Sequence, residues 1–476
     1  MTNNSPNQQT RRLMMLRDPI PKVVFKMALP TIVAFLISSI YSLADTYFVS
    51  GLGENATAAV GVNASLDQLI MMCGSMLAVG ANSYIARLLG SNQQEKASKV
   101  LSTAFFSAFG IGALLLILGS VFMSPMVDLL GATESCKDYS IDYATYILLA
   151  APFMATSFVM NQCLRSEGSA TLSMIGMGFG GILNCILDPI FIFGSEGVKA
   201  KYGISLPFDI AARGVAGASI ATAISKLVSF SILIFPYLTR RSLLRLSIRN
   251  FRPSRDILKE IVSVGSSSMF RSGLAVVSAI LLNNMAGAIS DAVLAATGVC
   301  TKIMMFPFSI ILGFGSGFQP VAGFNWGAKR YDRVLESYRF SGKVAIIGGA
   351  LMAAVLILWC DPIIVAFSGT SAQMRSIGRF SIILQSVALP VHGWVAVVNM
   401  LCAGLGNAKG ALALSTTRQG SCMLPLLPIA SLIGAYGIAS VQAAADLLSL
   451  AIAIPIALYM TRKIRAAMTQ IPTAVR

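Results

Sequence analysis

The chain has 476 residues, of which 55% are hydrophobic and only 12% are charged, and its mean hydropathy is +0.73. A water-soluble core cannot bury so much apolar surface, so this composition excludes an ordinary soluble domain and indicates an integral membrane protein. The formal net charge of +16 would suit a nucleic-acid-binding protein, but the basic residues lie between apolar stretches rather than in one patch. We therefore expect no nucleic-acid partner.

Residues 1–20 are largely polar and basic at their start, without the apolar core of a signal peptide, and we expect a disordered cytosolic tail there. Twelve apolar stretches follow, each long enough for a helix to cross a hydrocarbon core about 30 Å thick. They lie at about residues 27–50, 58–89, 101–123, 140–163, 169–194, 214–238, 257–287, 293–326, 341–361, 377–403, 410–433 and 436–461. The fold class predicted is an all-α integral membrane protein with twelve transmembrane helices.

Most of the 36 lysine and arginine residues lie in the N-terminal tail, the even-to-odd connections and the C-terminal end. Because cytosolic connections carry the positive excess, both termini are predicted to be cytosolic. The same residues would contact the anionic headgroups of membrane lipids.

The two halves of the chain come into register when the sequence is shifted by 237 or 238 positions, which brings Pro152 onto Pro390 and Gly168 onto Gly406. Since each half holds six helices, the repeats are predicted to have parallel topology, related by a pseudo-two-fold axis along the membrane normal. The predicted segments are an N-lobe (21–239), a basic cytosolic linker (240–256), a C-lobe (257–465) and a cytosolic tail (466–476).

Carboxylates inside the first and fifth apolar stretches are the most informative residues. An acid at the bilayer centre costs about 2.5–3.5 kcal/mol on insertion scales, so Asp45 and Asp188 are predicted to be functional. Asn184 lies four residues before Asp188 on the same helix face, and Pro189 would free a backbone carbonyl nearby. Carboxylate, amide and carbonyl oxygens suit Na⁺, whereas two neighbouring carboxylates could instead exchange a proton. A purely structural alternative is that these acids hold two helices together by hydrogen bonds.

Two further polar residues are candidates for the wall of a substrate cleft. Asp67 lies one turn from Asn63 in the second stretch, where the alternative is an interfacial polar residue that contacts water. His392 is the single histidine; it would suit a protonation switch, although a hydrogen-bonded polar residue of the cleft wall is the expected role.

Asp446 in the last stretch is a third candidate for the cleft, with a structural ion pair to Lys302 or Lys226 as the alternative. Lys302 and Arg271 are interpreted as buried cations that neutralise Asp446 or repel cationic substrates, or as structural residues whose charged ends reach the interface. Met160, Asn161 and Met177 complete the candidate cleft residues. Flexible thioethers suit a site that accepts varied compounds, but lipid-facing or core packing is the expected role of most of the methionines.

Several local patterns together resemble the multidrug and toxic compound extrusion transporters, in their bacterial drug-efflux branch. The resemblance covers about residues 20–465. It is carried by Ala28-Leu29-Pro30, Leu43-Ala44-Asp45-Thr46-Tyr47-Phe48-Val49, Gly51-Leu52-Gly53, Leu164-Arg165-Ser166-Glu167-Gly168, Asn184-Cys185-Ile186-Leu187-Asp188-Pro189-Ile190-Phe191, Phe318-Gln319-Pro320, Asn325-Trp326-Gly327-Ala328 and Thr417-Arg418-Gln419 before Pro425.

The resemblance implies a two-lobe antiporter that exports organic cations in exchange for H⁺ or Na⁺. The ion-coupling residues of many members would fall here on Asp45, Asn184, Asp188 and Thr222. Another branch places acids on helices 7 and 10, where this chain offers Arg271 and His392, so the resemblance implies no second cation site of that kind.

We therefore predict a secondary active multidrug transporter that works by alternating access and binds small-molecule drugs or toxins. A lipid or lipid-linked sugar flippase on the same plan, a channel and a membrane enzyme are the alternatives, although no convergent nucleophile or resident metal site is evident for an enzyme. No cofactor is expected beyond the coupling ion. A transient Na⁺ would be held by Asp45, Asn184 and Asp188. We expect a monomer in the plasma membrane, which would be the inner membrane of a bacterium if the resemblance holds.

Overall fold

The computed structural model describes residues 6–203, 205, 209–368 and 371–470. Nearly all of these residues are helical, and no β-strand occurs within the described ranges. Helices are expected here because a bilayer offers no hydrogen-bond partners, so backbone groups must bond within the segment. The all-α fold predicted from the apolar stretches is confirmed.

The described residues of the first half of the chain form eight helices. They are α1 (Pro6–Arg17), α2 (Ile20–Ser50), α3 (Glu54–Gly90), α4 (Gln94–Val121), α5 (Met123–Leu129), α6 (Lys137–Ser166), α7 (Ala170–Tyr202) and α8 (Gly214–Leu238). The connection to the second half contains a 3₁₀ turn at Ile248–Asn250.

Within the part of the second half that the structure describes, there are eight more helices and one π-helical segment at Thr417–Cys422. The helices are α9 (Arg255–Ile289), α10 (Asp291–Gly327), α11 (Tyr331–Leu358), α12 (Cys360–Ser368), α13 (Ala372–Gly404), α14 (Ala408–Thr416), α15 (Met423–Ile433) and α16 (Ala435–Thr469).

Eleven of the described helices are long and apolar enough to cross a membrane. The predicted stretch at 410–433 does not form one regular helix, because the π-helical segment separates α14 from α15. A π-turn adds a residue to the hydrogen-bonded ring and occurs often at functional sites. Residues 466–476 were predicted to be a cytosolic tail, and this location stays a prediction. Helix α16 extends to Thr469, and residues 471–476 lie outside the described ranges.

The helices form two compact units. Unit 1 contains Met1–Ile32, Asn82–Gln93 and Val262–Arg476, and unit 2 contains Val33–Ala81 and Gln94–Ile261. The first 13 residues of α2 and the last turns of α3 therefore pack with the second half of the chain. The predicted lobe boundary at residues 240–256 stays a prediction.

The disorder predicted for residues 1–20 is wrong for α1, since Pro6–Arg17 is helical. Met14 and Met15 of this helix are buried in unit 1. The buried Arg333 binds its carboxyl end, because Nη2 donates to the backbone oxygens of Met15 at 3.2 Å and Asp18 at 2.7 Å. An arginine at a helix carboxyl end satisfies carbonyls that have no partner within the helix, a contact that the local sequence does not reveal.

The basic segment between the sixth and seventh predicted helices is bound to unit 2 by buried polar contacts. The Glu167 side chain accepts hydrogen bonds from Ser242 Oγ at 2.6 Å and from the Leu243 amide at 2.7 Å. Thr103 Oγ1 donates to the Arg252 carbonyl at 3.2 Å. The segment therefore has a defined course along unit 2.

Helix α7 continues beyond its apolar stretch, but it is interrupted at Gly194. This residue has φ 69° and ψ 178°, a backbone conformation that residues with a Cβ rarely adopt. The predicted stretch 169–194 ends at the same residue, so its end coincides with the end of the regular helix. The further helical turns up to Tyr202 were not predicted.

Helices α7 and α8 meet closely at Gly217, where an added Cβ would lie 2.2 Å from the Phe191 carbonyl oxygen. We expect Gly217→Ala to lower the melting temperature of the purified protein, because overpacking of this kind costs about 1–3 kcal/mol. Gly110→Ala is the matched control, since no atom lies within 4 Å of its added Cβ. Equal melting temperatures for the two variants would contradict this close contact.

Candidate functional site

The acids predicted from the first and fifth stretches lie together in unit 2. Asp188 on α7 is fully buried, and Asp45 on α2 is half-buried. The two carboxylates interact electrostatically with each other, and Asp45 also interacts with Asp67 on α3. Three helices thus bring negative charge into one part of unit 2.

Asn184 joins α7 to α8 beside these acids. Its Nδ2 donates to Asp188 Oδ1 at 3.1 Å and to Thr222 Oγ1 at 3.2 Å. The first contact was expected from the four-residue spacing on a helix face. The second places the hydroxyl of Thr222, which the family resemblance had indicated, next to the same amide.

Lys226, one turn after Thr222 on α8, is a member of this cluster that the sequence did not assign to it. Its Nζ donates to Tyr41 Oη at 3.0 Å and lies 4.7 Å from the centre of the Tyr41 ring. Its ammonium interacts electrostatically with both Asp45 and Asp67. We call Asp45, Asp67, Asn184, Asp188, Thr222 and Lys226 the acidic cluster.

Several buried oxygens of the acidic cluster have no hydrogen-bond partner. They are Asp45 Oδ1, Asp67 Oδ1, Asn184 Oδ1 and Asp188 Oδ2. A buried acceptor left unpaired costs roughly 1–3 kcal/mol, and more when it is charged. A proton on a carboxylate, or a small hard cation between the carboxylate and amide oxygens, would satisfy these acceptors.

The charges of the acidic cluster do not balance. Three carboxylates face one ammonium, so the cluster keeps a negative excess when the carboxylates are ionised. In a region of low dielectric this excess attracts a cation strongly. The lysine supplies part of the compensation permanently, whereas an exchangeable cation would supply the rest.

The remaining candidate cleft residues of unit 2 have packing roles in this structure. Met160 is fully buried, and Met177 is half-buried. Asn161 is also buried; its Nδ2 donates to the Ser173 carbonyl at 3.0 Å, and its Oδ1 accepts from Arg165 Nη2. The contact with Ser173 joins α6 to α7, whereas the contact with Arg165 lies within α6. The assignment of the three residues to a substrate cleft stays a prediction.

Asp446 pairs differently from the two alternatives that the sequence suggested. Its Oδ1 lies 2.7 Å from Arg418 Nε and 3.0 Å from His392 Nδ1, all within unit 1. The proposed pairs with Lys226 and Lys302 are therefore wrong: Lys226 belongs to the acidic cluster of unit 2, and Lys302 is exposed rather than buried. The rotation of each helix about its axis decides which side chains meet. A helix that is hydrophobic on most faces gives no pattern from which this rotation could be predicted.

Arg271, the other cation noted within an apolar stretch, is half-buried on α9. Its Nη2 donates to Ser268 Oγ at 3.2 Å, one turn earlier in the same helix. The contact is local, so the structure gives Arg271 a partner other than Asp446.

The family to which the chain belongs follows from its match to a family model. The model for MatE matches residues 30–190 and 268–429, which together make up more than half of the chain. The chain belongs to the MatE family. The two matched ranges fall in the two halves that the internal repeat had identified.

Curated relatives and solved structures agree with this assignment. The chain is 26% identical over 426 residues to the multidrug export protein MepA of Staphylococcus aureus, covering 89% of this chain and 90% of MepA. It is also 26% identical to MepA of Staphylococcus haemolyticus, covering 88% of each chain. With the eleven membrane-spanning helices, these relatives make the chain a multi-pass protein of the plasma membrane.

Similar folds are seen in two solved transporters. A MATE crystallised in complex with MaL6 superposes with a TM-score of 0.87 at 23% identity, covering 98% of this chain and all of the other. An outward-facing multidrug resistance MATE transporter of the MOP superfamily superposes with a TM-score of 0.85 at 24% identity, covering 98% of this chain and 99% of the other. At this level of identity the likeness concerns the fold alone.

Proposed function

We propose that this protein is a secondary active multidrug exporter, in which organic, mainly cationic, compounds leave the cell in exchange for H⁺ or Na⁺. The observation that supports this most is the set of unpaired buried oxygens on Asp45, Asp188 and Asn184 within membrane-spanning helices. Such groups in a membrane are costly, and they mark ion or proton pathways more often than structural contacts.

The acidic cluster would couple the two fluxes through its charge. When no exchangeable cation is bound, the negative excess attracts a cationic compound or a coupling ion. When the coupling ion is bound, that excess falls, and the attraction for the compound falls with it. Each ligand shifts the equilibrium between conformations only by its difference in affinity for them, so competition for one charge is sufficient for exchange.

Exchange is required because export of a cation from a cell with a negative interior is uphill. Each elementary charge moved outward works against about 2.3 kcal/mol for every 100 mV of membrane potential. Inward movement of H⁺ or Na⁺ down its own gradient offsets this cost. The proposed direction therefore follows from the charge of the compound and the sign of the membrane potential.

Everted membrane vesicles from a bacterial host without its own efflux pumps provide the test. We expect ethidium to accumulate in vesicles containing this protein when either an acidic or a Na⁺-loaded lumen is imposed alone. The gradient that drives accumulation identifies the coupling ion. Absence of accumulation under both gradients, with the protein present in the membrane, would reject the proposed exchange.

A further inference from the structure

The second cluster of buried charges, on unit 1, has an arginine with an unused donor. We call Arg418, Asp446, His392 and Phe308 the arginine cluster. Asp446 Oδ1 contacts both Arg418 Nε and His392 Nδ1, at 2.7 Å and 3.0 Å. The Arg418 guanidinium carbon lies 4.3 Å from the centre of the Phe308 ring, and that ring in turn lies 5.0 Å from the His392 ring.

Arg418 Nε and Nη2 are both buried without a hydrogen bond, because the 2.7 Å contact of Nε with Asp446 Oδ1 is an ion pair that lacks hydrogen-bond geometry. Buried polar groups are nearly always paired, so an unpaired guanidinium donor inside a membrane protein requires an explanation. The side chain of Arg418 is 16% exposed and that of His392 is 15% exposed, so each keeps some accessible surface. Nη2 itself has almost no accessible surface, so a group that enters from outside the protein core would reach it after a small movement of the partly exposed side chain.

The shape of the cluster indicates what that group would be. A guanidinium is planar and presents its donors as a fork that matches two oxygens of a carboxylate. Its face is already packed on Phe308, which fixes the plane of the fork. Arg418 also lies in the π-helical segment Thr417–Cys422, where an irregular turn places its side chain differently from a regular helix.

We propose that the arginine cluster binds the carboxylate of an anionic or zwitterionic substrate, with Arg418 as the residue that contacts it. Asp446 is then an internal competitor, because its Oδ1 already interacts with the same guanidinium. His392 also contacts Asp446. The Asp446 carboxylate therefore keeps one partner when the substrate binds Arg418. This inference rests on the proposed export function and names the residue that would bind a carboxylate.

Binding to the purified full-length protein tests the proposal with two related compounds. The probes are a fluoroquinolone, which carries a carboxylate and an amine, and its ethyl ester, which lacks the carboxylate. We expect Arg418→Gln to weaken binding of the acid by at least about tenfold, since a charge-assisted hydrogen bond is removed, while binding of the ester changes little. Arg330→Gln is the matched control, because Arg330 forms an exposed pair with Asp332.

A second variant separates this role from a structural one. We expect Asp446→Asn to tighten binding of the acid relative to the ester, because the competing negative charge is removed. Loss of folding would affect both compounds and both variants in the same direction, and size-exclusion profiles of the variants check it. Equal effects on acid and ester, or weaker acid binding in Asp446→Asn, would overturn the proposal.

Ethidium transport distinguishes failure of this inference from failure of the proposed function. Suppose that the wild-type protein transports ethidium but that Arg418→Gln weakens binding of the acid and of the ester equally. The arginine cluster is then not a carboxylate site, and the export function stands. If the wild-type protein transports no ethidium and binds neither fluoroquinolone compound, both proposals are rejected.

Discussion

Replacement of Asp188 by asparagine is expected to reduce gradient-driven efflux of ethidium strongly. The substitution keeps the size of the side chain and the hydrogen bond available to Asn184, but it removes a fully buried negative charge. Without that charge the acidic cluster attracts cations less strongly, so it exchanges them less effectively. We expect the initial rate of ethidium uptake into everted vesicles to fall at least about tenfold, which corresponds to about 1.4 kcal/mol of lost interaction.

The control for Asp188→Asn makes the same chemical change at the surface of unit 2. Asp142 on α6 is exposed, so Asp142→Asn should leave uptake unchanged at equal expression. Asp45→Asn should reproduce the effect of Asp188→Asn, because the two carboxylates interact. Full uptake in both cluster variants would contradict the role assigned to these acids.

Replacement of Lys226 by methionine is expected to make the acidic cluster bind its coupling cation more tightly and release it more slowly. Lys226 supplies positive charge next to Asp45 and Asp67, and methionine keeps a long flexible side chain without it. At an effective dielectric constant of about 20, loss of one unit charge at several ångströms changes cation affinity by about tenfold or more. The measurement is the pH or Na⁺ concentration that half-inhibits ethidium binding.

Lys201→Met is a matched control for Lys226→Met. Lys201 also contacts an aromatic ring, with Nζ 3.9 Å from the centre of the Phe193 ring, but its side chain is exposed at the end of α7. Only Lys226→Met should move the half-inhibiting concentration, toward higher pH or lower Na⁺. A shift in the opposite direction would show that Lys226 does not act as a fixed counter-charge.

Local sequence patterns predicted the helices and the central contact of the site. Apolar length identified the spans, since a bilayer requires about 20 consecutive apolar residues. The four-residue spacing of Asn184 and Asp188 predicted their contact, because residues at this spacing share a helix face. Thr222 could be indicated only through the family resemblance.

Contacts between distant helices could not be predicted in the same way. Tyr41 and Lys226 are 185 positions apart, and their contact depends on how α2 and α8 are rotated. Asp446 was paired with the wrong cations for the same reason, since its partners lie on α13 and in the π-helical segment. The helix at Pro6–Arg17 was missed because a partner from α11, Arg333, stabilises it.

Ion release on substrate binding tests the central claim most directly. Purified wild-type protein, loaded at fixed pH or Na⁺ in weak buffer, should release protons or Na⁺ when ethidium binds. The variant carrying both Asp45→Asn and Asp188→Asn should bind ethidium more weakly and, at ethidium concentrations that saturate it, without that release. Ethidium binding without any release from the wild-type protein, or equal release from the double variant, would contradict exchange at the acidic cluster.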